Sequence, residues 1–186
     1  MALTVLSTSV LLGGTVTAAQ ADNAPQAKDG SGVQAVYKGR SIDMSKSWEG
    51  ATVCVEQTYG EYRCYDDDAA YRDAEGLAGP ASDVGVSAWD DCRSGYFCIW
   101  EDKNYAGRRV EGRAPGMHYL QDLTPSFANQ GSSFYNNRST NAHLLDGCTS
   151  DYLHADGRGY SPDLTQEDRL VCSGNYNDKI DQILLF

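Results

Sequence analysis

Six cysteines are the residues of this 186-residue chain with the clearest chemistry: Cys54, Cys64, Cys92, Cys98, Cys148 and Cys172. No C-x2-C pair occurs, and none of the three histidines, His118, His143 and His154, lies at ligand spacing from a cysteine pair, so a zinc site is a poor fit. An even number behind a hydrophobic leader reads as a disulfide framework, with fifteen connectivities open. The sequential pairing, Cys54–Cys64, Cys92–Cys98 and Cys148–Cys172, is the simplest. Cysteines used this way leave no thiolate for nucleophilic catalysis. The chain also lacks HExxH, G-x-S-x-G and a phosphate loop. Acidic pairs such as Glu101/Asp102 read as surface turns, so the chain is expected not to be an enzyme.

Other features bound the partners. The formal net charge of −11 excludes nucleic acid and anionic membranes as expected partners, since both call for a basic patch. Residues 1–21 contain no Asp, Glu, Lys or Arg and end Ala19-Gln20-Ala21, the pattern of a signal peptide with an A-x-A cleavage site. This makes a secreted protein the expectation.

The elements that must hold the cysteines differ along the chain. Residues 22–35 read as a flexible lead. Residues 36–75 read as a small unit apart, with Thr52 to Glu56 and Tyr62 to Tyr65 flanking a Gly60 turn as a disulfide-stapled hairpin. Asp66-Asp67-Asp68 ahead of Ala69-Ala70-Tyr71-Arg72 marks a helix start, in preference to an acidic calcium cluster. Residues 76–91, with Gly76, Gly79-Pro80 and Gly85, read as a linker in which Trp89 docks on the next unit.

From Cys92 the texture changes to short strands and polar turns. Strands are expected at Tyr96–Trp100, Arg108–Glu111, Ser133–Asn136, His143–Leu145 and Ile180–Leu184, the pattern of an all-β sandwich. Trp100-Glu-Asp-Lys-Asn-Tyr105-Ala-Gly107 describes a strand that folds over into a tight hairpin, with Gly107 supplying the positive φ a side chain would oppose. Phe127-Ala-Asn129-Gln-Gly-Ser132-Ser133-Phe134 recurs as Tyr176-Asn-Asp178-Lys-Ile-Asp181-Gln182-Ile183, displaced by 49 residues. The twelve tyrosines and three tryptophans read as core and hairpin packing.

Cys92-Arg-Ser-Gly-Tyr-Phe-Cys98-Ile-Trp through Gly107-Arg-Arg109 resembles the opening of the streptomycete metalloproteinase inhibitor family. So do Asp122-Leu-Thr-Pro-Ser-Phe127 and Asn129-Gln-Gly-Ser-Ser-Phe-Tyr-Asn136-Asn137. The resemblance covers about residues 92–186. It implies a βγ-crystallin-like sandwich of two Greek keys, preceded here by the small stapled hairpin and helix. It also implies inhibition of an extracellular zinc metalloprotease through a disulfide-constrained loop, with Cys148-Thr149 as the counterpart of the inhibitory bond. From βγ-crystallins it implies paired calcium loops, with Asn129, Ser132, Asp178 and Asp181 as ligands. Turns bonded to their own backbone are the competing reading. No cofactor is expected to be required, calcium being the one candidate. The expected state is a monomer whose partner is a protease. A calcium-binding or structural cell-surface module, and a toxin-like or glycan-binding exoprotein, are the alternative functions.

Overall fold

The computed structural model describes residues 32–77, 89–123, 127–148 and 151–186. The expected signal peptide (residues 1–21), the expected lead up to residue 31, residues 78–88 of the expected linker and Thr149 lie outside the described residues. The fold is mostly β, with two sheets and one short helix.

Strands β1 (Gln34–Tyr37), β2 (Arg40–Asp43), β3 (Val53–Thr58) and β4 (Glu61–Tyr65) come first, then helix α1 (Asp68–Ala74). Two groups of four strands follow. The first is β5 (Phe97–Asp102), β6 (Ala106–Gly112), β7 (Gly116–Tyr119) and β8 (Ser133–Asn136). The second is β9 (Ala142–Leu145), β10 (Tyr152–Ala155), β11 (Tyr160–Ser161) and β12 (Gln182–Leu185). One sheet runs β11-β8-β5-β6-β3-β4-β1-β2 and the other β10-β9-β12-β7. The third strand of each group therefore pairs in the other group's sheet: β7 lies beside β12 and β11 beside β8. This reciprocal exchange makes two Greek keys into one βγ-crystallin-like sandwich. β8 and β12 are related by the 49-residue displacement, residue for residue.

Alternation along the strands sorts side chains to two cores. Phe97, Ile99, Val110 and Phe134 face Ala142, Leu144, Ile183 and Leu185 between the sheets. Cys98, Trp100 and Tyr135 point the other way, into a second core with Val53, Val55, Tyr65 and Tyr71. The helix roofs this second core. Asp67 caps it by accepting the Ala70 N–H at 2.8 Å, as the acidic run predicts.

Residues 36–75 do not stand apart. β3 pairs in parallel with β6, Val53 opposite Arg109, so the stapled hairpin extends the first sheet. Trp48 stacks on Phe127 and donates its indole N–H to the Leu123 carbonyl at 2.5 Å. The buried Glu56 carboxylate accepts the N–H groups of Arg113 and Ala114 at 2.7 and 2.9 Å. Gln34 and Ala35, read as the end of the lead, are part of β1. Trp89 meets Tyr135 edge-on.

Beneath α1 lies a buried ionic layer. Arg109, fully buried, reaches Asp68 at 2.6 Å and Glu111 at 3.0 Å. Arg72 pairs with Asp91 at 2.7 Å. Burial pushes the Glu111 carboxyl up to about 7, with Arg109 and Arg93 opposing the rise.

Candidate functional site

The two halves of the sandwich close their first hairpins by different means. In the first half β5 folds over onto β6. Trp100 and Tyr105 meet edge-to-face at 5.3 Å. A Cβ at Gly107 (φ +76°) would lie 2.6 Å from an Asp102 carboxylate oxygen, so glycine is required there. Ser133 fastens the fold by accepting the Tyr105 N–H at 3.0 Å and donating to the Asp102 carbonyl at 2.7 Å.

The second half has Gln182 in place of Ser133 and lacks the aromatic fold-over. Its β9–β10 connection carries Cys148, bonded to Cys172 between β11 and β12. Residues 167–176 form an irregular hairpin. Tyr176 N–H donates to the Glu167 carbonyl and Arg169 N–H to Gly174, both at 3.0 Å, with Asp168 bridged to Asn175. Leu170, Val171 and Cys172 are its tip.

Two buried carboxylates hold this corner. Asp151 accepts the backbone N–H groups of Leu170, Val171 and Cys172 at 3.2, 2.9 and 3.0 Å, and the Tyr176 hydroxyl at 2.8 Å. Desolvation pushes the Asp151 carboxyl up. The donors from Cys172, Val171, Tyr176 and Leu170 outweigh it and hold the group at about 2. Asp146 accepts the Cys148 N–H at 2.7 Å and pairs with Arg169 at 2.6 Å. The two sulfurs and Asp151 are close enough together to suggest a metal site. The sulfurs are bonded to each other, however, and the carboxylate is occupied by four donors, so the trio has no ligands to offer.

The two loops in which calcium ligands are expected, around Asn129 and Asp178, lie against each other. Asn129 N–H donates to the Ile180 carbonyl and Asp178 N–H to the Gly131 carbonyl, both at 3.1 Å. The side chains repeat the exchange: Asn129 Nδ2 donates to Asp181 at 2.8 Å, and Ser132 Oγ to Asp178 at 3.2 Å. Asn129 and Asp178 both adopt positive φ, +58° and +54°. A Cβ at Gly131, the counterpart of Ile180 in the repeat, would lie 2.5 Å from the end of the Ile99 side chain, which would have to shift.

The sequence-predicted residues thus fall in two places. Asn129, Ser132, Asp178 and Asp181 converge, and Cys148 joins Cys172, while Thr149 lies outside the described residues. Asp146, Asp151, Tyr176, Leu170 and Val171 were not anticipated. One sequence signal points to them: the repeat replaces Phe127 by Tyr176, adding a buried hydroxyl that needs a partner.

Residues 86–149 match peptidase inhibitor family I36. No curated protein matches the chain significantly. Among solved structures, the chain is similar to one from work on the evolution of the eye lens βγ-crystallin domain fold, at 14% identity and a TM-score of 0.40. That match covers 55% of this chain and 91% of the other. It is also similar to the N-terminal domain of protein S, at 17% identity and a TM-score of 0.36, covering 48% and 92%.

Proposed function

We propose that the chain is a secreted, non-catalytic inhibitor of an extracellular zinc metallopeptidase, acting through the Cys148–Cys172 corner. The observation that carries this is the join between the stretch matching an inhibitor family and a rigid projecting tip. The matching stretch runs to residue 149. Its half-cystine Cys148 is bonded to a hairpin tip whose three consecutive N–H groups are fixed by Asp151. A segment ordered before binding loses little entropy on entering a cleft, and that is where inhibitors gain affinity. Three disulfides suit an oxidising compartment, in keeping with export. The test is titration of secreted metallopeptidases with the oxidised and the reduced protein. Stoichiometric inhibition by the oxidised form, weakened on reduction, is expected. Absence of inhibition across such a panel at micromolar protein would overturn the reading.

A second reading rests on the reciprocal loops. Asn129, Ser132, Asp178 and Asp181 present oxygen atoms from two chain segments to one place, and calcium takes six to eight oxygen ligands. The side-chain oxygen of Asn177, beside Asp178, is buried without a hydrogen-bond partner, as a cation-facing oxygen would be. Calcium bound there would fasten the two Greek keys to each other, as a structural ion compatible with the inhibitory role.

A further inference from the structure

The tip of the 167–176 hairpin carries two aliphatic side chains in solvent. Leu170 is 88% exposed and Val171 68%, and Leu170 is the most exposed large apolar residue among those described. Scattered apolar residues on a surface need no explanation. These two are adjacent, sit beside a half-cystine, and are held in place by more bonds than a plain turn requires. Asp151 fixes the backbone on both sides of Val171, the disulfide fixes Cys172, and Arg169 is neutralised by Asp146 beneath the tip.

We propose that Leu170 and Val171 are the apolar anchor by which this chain docks into an aliphatic pocket of its target peptidase. The proposal rests on the inhibitor reading and names the side chains that would carry its affinity. The argument for this occupant is chemical. The tip offers two branched aliphatic groups, and the Arg169 beside them is already paired with Asp146, so the surface complementary to Leu170 and Val171 is an apolar pocket. A second copy of the chain is opposed by the net charge of −11 on each molecule. The backbone also defines the mode of docking. The N–H groups of Leu170, Val171 and Cys172 are turned inward to Asp151, so they are not free to pair with a peptidase as an extended substrate does. The tip therefore binds by its side chains and is not itself the bond presented for cleavage. A few well-packed side chains carry most of the affinity of an interface whose other contacts are near neutral.

The test compares the full-length oxidised protein with L170S/V171S, with the conservative L170M, and with Y160S, which alters another exposed side chain (65%) away from the tip. Inhibition constants are measured against thermolysin and other secreted metallopeptidases of aliphatic preference, with melting temperature as the check on folding. Expected are a loss of about 30-fold or more for L170S/V171S, near-wild-type inhibition by L170M and Y160S, and unchanged melting temperatures. Mass spectrometry of the complex should find no cut between residues 169 and 172. Equal inhibition by L170S/V171S, or a cut within the tip, would overturn the anchor while leaving the inhibitor reading standing. Failure of the wild-type protein to inhibit any of them would overturn both.

Discussion

The Tyr176 hydroxyl donates to Asp151 at 2.8 Å, and at the equivalent point of the first half Phe127 has no oxygen to offer. Both rings are fully buried in the core between the sheets. One atom thus separates a position that only packs from one that also steers a carboxylate toward the tip at Leu170–Cys172. Tyr176→Phe keeps the packing and removes that bond. It should lower the melting temperature by about 2–4 °C and weaken inhibition further than the stability loss accounts for, since Asp151 then lacks its guide. Calorimetry together with inhibition kinetics checks this. Inhibition unchanged in Tyr176→Phe would show that the tip does not depend on the bond.

The same carboxylate sets an acid limit on the tip. Asp151 sits at about 2 in the folded chain against 3.8 ordinarily. A depressed acid contributes stability that is complete above its unfolded value and lost as pH falls through the folded one. The amides of Leu170, Val171 and Cys172 should therefore be protected from hydrogen exchange at pH 5 and lose that protection between about pH 4 and 2. Asp151→Asn should be unprotected throughout. Protection that persists at pH 2 in the wild-type chain would contradict the assignment.

Much of the sandwich was legible because its signals are local. The Trp100–Gly107 spacing describes one hairpin, and the 49-residue repeat aligns β8 with β12 because each strand must bury the same face. β7, β10 and β11 were not legible. They are two to four residues long; β7 and β11 depend on partners far off in the chain, and β10 is an edge strand that pairs only with β9. The attachment of residues 36–75 was hidden for the same reason: the parallel pairing of Val53 with Arg109 leaves no local pattern. Asp151 was hidden most completely, since its role exists only through donors 19 to 25 residues away.

That hidden attachment makes the N-terminal hairpin part of the stability of the whole. Trp48 fills a slot against Phe127 and Leu123, and Trp48→Ala should cost about 3–5 kcal/mol in urea denaturation. A chain beginning at residue 88 would uncover Phe127, the edge of β6 and the outer face of Trp100, and should aggregate or remain unfolded. A stable, monomeric 88–186 fragment would show that the hairpin is an accessory after all.

Arg109 is the hub of the buried ionic layer, facing Asp68 and Glu111 from β6 with no exposure to solvent. Arg109→Met would take the nearest cation from Asp68 and Glu111, leaving Glu111 the more distant Arg93 at 4.0 Å, and should destabilise the chain by about 3–5 kcal/mol. Glu111 also carries a pH signature. Its folded value of about 7 lies above the ordinary 4.5, so its protonation favours folding below pH 4.5. That contribution is lost as pH rises through about 7. Glu111→Gln should flatten the pH dependence of stability in this window, measured by urea denaturation at steps between pH 4.5 and 8. An unaltered slope would mean that another group carries it.

Calcium is tested most directly through the reciprocal loops. If Asp178 and Asp181 with Asn129 and Ser132 hold the ion, calcium at a hundred times its dissociation constant stabilises the native chain by about 2.7 kcal/mol. For a chain of this length that is a rise of about 5–10 °C in melting temperature. Chelator should reverse the rise, and D178N/D181N should abolish it by removing the two carboxylates the ion would need. The substitutions should leave the calcium-free melting temperature nearly unchanged, because the backbone exchange between Asn129, Ile180, Asp178 and Gly131 survives them. A melting temperature indifferent to millimolar calcium and to chelator would leave these loops as turns that hold the two Greek keys together by hydrogen bonds alone.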